Sequence, residues 1–193
     1  MVPRPPCVTE LLKRDPPPVS LSNLSDTKNP PYRADLSDQI ASPMCHPALE
    51  AALHLMNDDL FSAHFLLRKM QEDEWAKWLH GILHLIEGDL EKNAKLWYQQ
   101  VDPKVLSTYW GADDPAAAAI ENMYRVKRIK DGEEKDPEED KKARRIKWEE
   151  LTSIMESLEK EHGWDAVDGT KFYTKDEDPS HQSLVMKQNR RDM

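Results

Sequence analysis

Between residues 45 and 124, apolar side chains recur at intervals of three and four along the chain. This spacing places them on one face of an α-helix, so it predicts amphipathic helices that bury one side each. The first predicted helix begins at Pro47, since proline suits the first helical turn. Its apolar positions are Leu49, Ala52, Leu53 and Met56.

Polar breaks divide the rest of this segment into further helices. Asn57-Asp58-Asp59 supplies both a stop and a new N-cap, and Gly88 is placed like the left-handed glycine that ends a helix. A further helix is expected to start near Asp73, and Pro103 is expected to end the helix that starts near Asp89 and runs to about Gln100. Asp113 or Asp114 with Pro115 opens another helix, which runs to about Ile129. The sequence therefore predicts an all-α fold.

Two segments within this region match at an offset of 30 residues. His54 to Leu60 reads HLMNDDL and His84 to Leu90 reads HLIEGDL, with four of seven positions identical. Both lie where one predicted helix ends and the next begins. A period of this size is typical of stacked helical hairpins, so we expect two tandem hairpins.

The second hairpin resembles a tetratricopeptide repeat. Its string WLHGILHLIEGDLEKNAKLWYQQVDP has Leu79 before His80-Gly81, a Gly88-Asp89 turn, a small residue and a closing Asp-Pro. The small residue, Ala94, falls one position late, and His84 stands where these repeats carry an aromatic residue. The resemblance implies a tetratricopeptide-like hairpin that contributes to a protein-binding surface.

The same stretch is similar to a family of uncharacterised small helical proteins of fungi and bacteria. Its pattern is an aromatic residue and His, a second His four residues on, Glu-Gly-Asp, Asn-Ala and Trp. The matching residues are His80, His84, Glu87-Gly88-Asp89, Asn93-Ala94 and Trp97, with Leu79 in place of the aromatic residue. The family carries no established activity, so the resemblance bears on the fold.

Composition shifts divide the chain into five parts. Residues 1–43 hold nine of the 14 prolines and are predicted to form a largely irregular tail. In an alternative interpretation, this tail lies along the folded body through Tyr32, Leu36 and Ile40. The parts that follow are a helical-repeat core at 44–130, a charged linker at 131–139, a C-terminal helix at 140–162 and an irregular polar tail at 163–193.

Charge and cysteine content restrict the classes of partner. The net charge of −9 disfavours nucleic acid, because an acidic chain repels phosphate backbones. No apolar run approaches the length that spans a bilayer, so we expect no membrane partner. Cys7 and Cys45 form no disulfide framework. We expect a cytoplasmic protein, with the nucleus as an alternative.

Histidines are the most prominent chemical feature of the sequence. Five of the seven fall between His46 and His84. His80 and His84 are four residues apart and project from one face of their helix, with Glu87 close to that face. Imidazoles and a carboxylate on one surface can hold zinc or iron. Completion of such a site requires further ligands, for which His64 and Asp58 are the candidates.

A helical wheel of this segment places His80, His84 and Glu87 opposite the stripe of Trp75, Trp78, Leu79, Ile82 and Ile86. They are therefore expected to be solvated or helix-packing side chains, or to line a groove. His54 has a similar position on the first predicted helix. The groove hypothesis gives a binding surface of His54, His80, His84 and Glu87.

Sequence motifs of the common enzyme classes are missing. The chain has no GxSxG, GxGxxG or GxxxxGK[ST], and residue 81 is Gly where zinc proteases of the HExxH type need Glu. No catalytic residue is assigned. The first hypothesis is a non-enzymatic helical-repeat module that binds a protein or peptide and needs no cofactor. The alternative is a small metal-dependent enzyme that uses His80 and His84 on a small-molecule substrate.

Overall fold

The structure, a computed structural model, describes residues 2–18, 30–111 and 113–174. All regular secondary structure in these residues is helical, as the sequence predicts. The first four α-helices are α1 Pro6–Leu12, α2 Ala34–Ala41, α3 Pro47–Met56 and α4 Leu60–Leu67. The others are α5 Glu74–Glu87, α6 Lys95–Gln100, α7 Pro103–Trp110, α8 Pro115–Lys130 and α9 Pro137–His162. A π-helical turn at Leu90–Ala94 leads into α6, and a 3₁₀ turn spans Gly169–Phe172.

Side-chain caps and a left-handed glycine fix the predicted helix ends. Asp73 accepts a hydrogen bond from the Ala76 amide at 2.7 Å, and α5 begins there. Gly88 ends α5 with a φ of 77°, the left-handed conformation that glycine adopts without steric cost. Asp114 caps α8, with Pro115 at its first position.

Two elements differ from the sequence prediction for the same physical reason. α6 ends at Gln100, before Pro103, as the sequence predicts, but Pro103 also begins α7, a helix that the sequence does not predict. Asp102 caps this helix by accepting a hydrogen bond from the Lys104 amide at 2.8 Å. In the same way Asp136 caps α9, which begins at Pro137, inside the predicted linker. In each case proline occupies the first turn, where its missing N–H costs no hydrogen bond.

The N-terminal segment is more ordered than its proline content predicts. Its described residues include α1 and α2, which bury five apolar side chains: Cys7, Val8, Leu11, Leu36 and Ile40. Arg14 pairs with Asp58 and donates to the Met56 carbonyl oxygen. The proline-rich composition restricts the backbone, but it does not prevent these apolar residues from packing on α3.

The two tandem turns share one backbone geometry. Asp58 has a positive φ of 55°, and Gly88, 30 residues later, has a φ of 77°. After each of them, an aspartate amide donates a hydrogen bond of 2.9 Å to a histidine carbonyl oxygen, from Asp59 to His54 and from Asp89 to His84. The two matching segments of the sequence therefore end their helices with the same backbone geometry.

The long helix α9 packs against α3, α5 and α8 and closes the core. Its side chain Glu150 is fully buried. The same oxygen, Oε1, accepts hydrogen bonds from the Trp78 and Trp110 indoles at 2.7 Å and from the Tyr98 hydroxyl at 2.9 Å. This network ties α9 to α5, α6 and α7.

After α9 the chain continues along the body as far as Thr174. The Trp164 side chain is buried, and Phe172 contacts the His46 ring edge-on. Residues 175–193 of the predicted polar tail lie outside the described residues. None of the helices in the described ranges combines the length and the apolarity that a membrane crossing requires.

Candidate metal centre

The three histidines that were predicted as metal ligands lie together. His64 comes from α4, and His80 and His84 come from α5. One ring nitrogen of each lies within 4.8 Å of the corresponding nitrogens of the other two. The ring centroid of His64 lies 5.0 Å from that of His80 and 5.5 Å from that of His84. The centroids of His80 and His84 are 5.0 Å apart. The packing of α4 on α5 thus converts a two-histidine spacing into a three-histidine cluster.

In the cluster, His80 and His84 are buried and His64 is partly buried, although the helical wheel placed His80 and His84 opposite the apolar stripe of α5. His80 is 4% exposed and His84 is 8% exposed. A wheel describes one helix in isolation, whereas α5 is covered on this side as well, by His64 of α4 and by Trp97 of α6. His80 and His84 are therefore helix-packing side chains, which is one of the alternatives that the sequence left open.

Trp97 forms one wall of the cluster. Its ring lies nearly parallel to that of His80, with the ring centroids 4.1 Å apart. The π-helical turn sets this position, because the Ala94 amide bonds to the carbonyl oxygen of Asp89, five residues before it, at 3.0 Å. A π-turn adds one residue to a helical turn and so shifts the face on which the following side chains lie.

The contact of Trp97 with the histidine cluster is not predictable from the sequence. Its spacing suits an inward-facing core position, and the sequence carries no signal for the π-turn that aims it at His80.

Burial keeps two of the three imidazoles neutral. It lowers the pKa of His64 to about 4 and that of His80 to about 2. Neutral imidazole is the form that binds a metal ion, so neither ring has to lose a proton near neutral pH. The Nδ1 atom of His80 is buried and has no hydrogen-bond partner among the residues that the structure describes. A buried nitrogen with no partner is costly in a packed interior, which makes this atom a candidate ligand.

Glu87 orients the third histidine. Its Oε2 lies 2.8 Å from Nδ1 of His84. In the tautomer with the proton on Nδ1, this atom donates to Glu87 and Nε2 carries the free electron pair. A carboxylate behind a histidine is the usual outer partner of a metal-binding imidazole.

The remaining predicted site residues lie in the first hairpin. Asp58 is paired with Arg14, and His54 is buried between Glu50 at 3.7 Å and Asp59 at 3.2 Å. Burial lowers the pKa of His54, but the two carboxylates outweigh this effect and the net shift is upward. The four residues of the predicted binding surface therefore form no open groove, since His54, His80 and His84 are buried.

The comparisons with known proteins give no match to a protein-family model, to a curated protein or to a solved structure.

Proposed function

We propose that this protein binds one divalent transition-metal ion through His64, His80 and His84. The observation that supports the proposal is the convergence of three imidazole nitrogens from two helices within 4.8 Å. Nitrogens bound to one tetrahedral zinc ion lie about 3.3 Å apart, given Zn–N distances of about 2.0–2.1 Å. Metal binding would require side-chain rotations that bring these nitrogens closer together.

The chemistry of the ligands restricts the ion. Imidazole suits zinc, copper, iron and nickel, whereas magnesium and calcium prefer oxygen ligands. Zinc and iron are the candidates we favour. With His84 held by Glu87 at Nδ1, Nε2 is the atom that faces the ion.

Three protein ligands leave one coordination position for water or substrate. Closed structural zinc sites use four protein ligands, whereas catalytic sites use three and keep a position open. This difference supports a metal-dependent enzyme that acts on a small molecule. At such a site the ion would lower the pKa of bound water or polarise a substrate oxygen.

A Co²⁺ titration of tag-free protein tests the proposal, because tetrahedral Co²⁺ absorbs visible light. We expect one equivalent to bind, and His64→Gln and His84→Gln to abolish the absorption. His162→Gln is the control, since His162 stacks on His46 rather than on the cluster. Circular dichroism establishes that each variant is folded. Folded wild-type protein without the absorption band, or a band that persists in both cluster variants, would refute metal binding.

We propose protein or peptide binding as the second candidate function, and with it a tandem, tetratricopeptide-like arrangement of the hairpins. The shared geometry of the turns at Asp58 and Gly88 supports the arrangement. A shallow groove between the π-helical turn and α8 supports binding. Its lining residues are Leu90, Glu91, Lys95, Ile120, Met123, Tyr124 and Lys127.

Peptide selection tests this second candidate. Peptides are selected on the wild-type protein and then measured on Tyr124→Glu, which alters an exposed residue of the groove. Binding that weakens in this variant would support the groove as a peptide site. Peptides that bind both proteins equally, or no peptides, would contradict it.

A further inference from the structure

Two histidines of the cluster differ in what holds their rings. His84 is oriented by Glu87, whose Oε2 lies 2.8 Å from Nδ1 of His84. Histidines that bind a metal usually have such an outer partner, which fixes the orientation of the ring. Nδ1 of His80 has no hydrogen-bond partner among the described residues. A hydrogen bond at this atom therefore does not fix the His80 ring.

Ring stacking supplies the missing contact. The rings of Trp97 and His80 are 16° from parallel with their centroids 4.1 Å apart, and those of His80 and His84 are 15° from parallel at 5.0 Å. His64 meets both histidines edge-on, at interplanar angles of 73° and 84°. Of these four ring contacts, the one between Trp97 and His80 is the shortest.

The backbone brings the Trp97 indole to this position. The π-helical turn at Leu90–Ala94 precedes Trp97, and its extra residue changes the direction in which the following side chains project. Gly81 lies next to His80 on α5, and a Cβ atom there would be 3.5 Å from Cβ of Trp97. The glycine therefore lets α6 approach α5 beside His80. Trp97 itself is partly exposed, so substitutions can test the stack without opening the centre of the core.

We propose that Trp97 is a positioning residue of the metal site, and that its indole ring holds His80 in the orientation that turns one nitrogen toward those of His64 and His84. This inference rests on the metal binding proposed above. Trp97 acts through His80, since an indole offers a donor and no free electron pair to a metal ion. A ring that is already held loses less rotational freedom when the ion binds, and this pre-organisation raises the affinity.

Variants of the full chain separate ring stacking from apolar volume. Trp97→Phe keeps an aromatic ring, whereas Trp97→Leu and Trp97→Met keep an apolar side chain without one. Two non-aromatic variants are used so that the test does not depend on the folding of either one, which circular dichroism checks. Leu96→Ala is the control, because Leu96 is the neighbour of Trp97 on α6 and is 51% exposed.

Two measurements are made on each variant. Competition with a chelator of known affinity measures Zn²⁺ binding, and the visible spectrum of the Co²⁺-saturated protein reports the geometry of the ligands. We expect Zn²⁺ affinity to be about 3- to 10-fold weaker in the two non-aromatic variants, the range that one aromatic contact supplies. It should stay near the wild-type value in Trp97→Phe and Leu96→Ala. The Co²⁺ band at saturation should also change in the non-aromatic variants, because a reoriented His80 alters the ligand field and a loss of fold stability alone does not.

The outcomes distinguish this inference from the proposed function. An unchanged Co²⁺ spectrum in a folded non-aromatic variant, or equal weakening of Zn²⁺ binding in Trp97→Phe and Trp97→Leu, would overturn the positioning role alone. Failure of the wild-type protein to bind Co²⁺ would overturn the proposed function and this inference together.

Discussion

Glu87 Oε2 lies 2.8 Å from Nδ1 of His84, one helical turn earlier on α5. This contact fixes which nitrogen of His84 is available to a metal ion. It also links the histidine pair to the carboxylate that the sequence places three residues after His84.

Substitution of Glu87 should weaken metal binding while leaving the three imidazoles in place. We expect Glu87→Gln to lower the affinity for Zn²⁺ by about 10- to 100-fold, the usual effect of losing an outer carboxylate. Competition with a chelator of known affinity measures the change. Glu91→Gln is the matched control, because Glu91 lies on the next helical segment and contacts Lys127. Equal affinities in the two variants would show that Glu87 does not act on the site.

Gly81 permits the close approach of α6 to α5. A Cβ atom at this position would lie 2.6 Å from Cδ2 and 2.8 Å from Cε2 of Tyr98, well inside van der Waals contact. Gly81→Ala should therefore lower the free energy of unfolding by about 1–3 kcal/mol, as overpacking does in other cores. Urea denaturation measures this loss of unfolding free energy. The loss should shrink in a Tyr98→Leu background, and an undiminished loss there would argue against this clash.

Glu150 should make stability depend on pH. Burial raises its pKa to about 7 in the folded protein, although the donors Trp78, Trp110 and Tyr98 stabilise its charged form. The ordinary value is 4.5, so the folded state binds this proton more tightly than the unfolded state. The contribution of Glu150 to the free energy of unfolding is therefore greatest below about pH 4.5. It declines as the pH rises to about 7 and is constant above that pH.

A neutral residue at position 150 removes this dependence. Relative to wild type, Glu150→Gln should gain up to about 3 kcal/mol of unfolding free energy between pH 4.5 and pH 8. Urea denaturation across this range measures the difference. Glu149→Gln, on the exposed face of α9, serves as the control. Parallel curves for wild type and Glu150→Gln would contradict a raised pKa for Glu150.

The packing of the N-terminal segment predicts a contrast between two neighbouring leucines. Leu11 is fully buried, whereas Leu12 is partly exposed. Leu11→Ala should cost about 2–4 kcal/mol of unfolding free energy, and Leu12→Ala should cost less. Thermal or urea unfolding distinguishes them. Two variants as stable as the wild-type protein would indicate that α1 does not pack on the core in solution.

Local rules predicted much of the helical fold. Asp73, Gly88 and the Asp114-Pro115 pair mark helix ends in the sequence and in the structure alike, because capping depends on only a few neighbouring residues. The same rules placed the end of α6 before Pro103 correctly but missed α7, since they do not decide whether a proline that follows one helix also begins the next.

The candidate site was less predictable because it depends on packing between helices. The spacing of His80 and His84 predicts that they share a face, but their burial depends on α4 and α6. The position of Trp97 depends on a π-turn that no local residue preference specifies. The apolar residues of α1 and α2 were present in the sequence, but the prolines around them indicated an irregular tail.

The location of a bound ion is the most direct measure of the central claim. Crystals of tag-free protein grown with Zn²⁺ and measured on both sides of the zinc absorption edge give an anomalous difference map. The account predicts one strong peak about 2.0–2.1 Å from a nitrogen of each of His64, His80 and His84. A map with no peak among these three rings, or with zinc bound only at other residues, would contradict it.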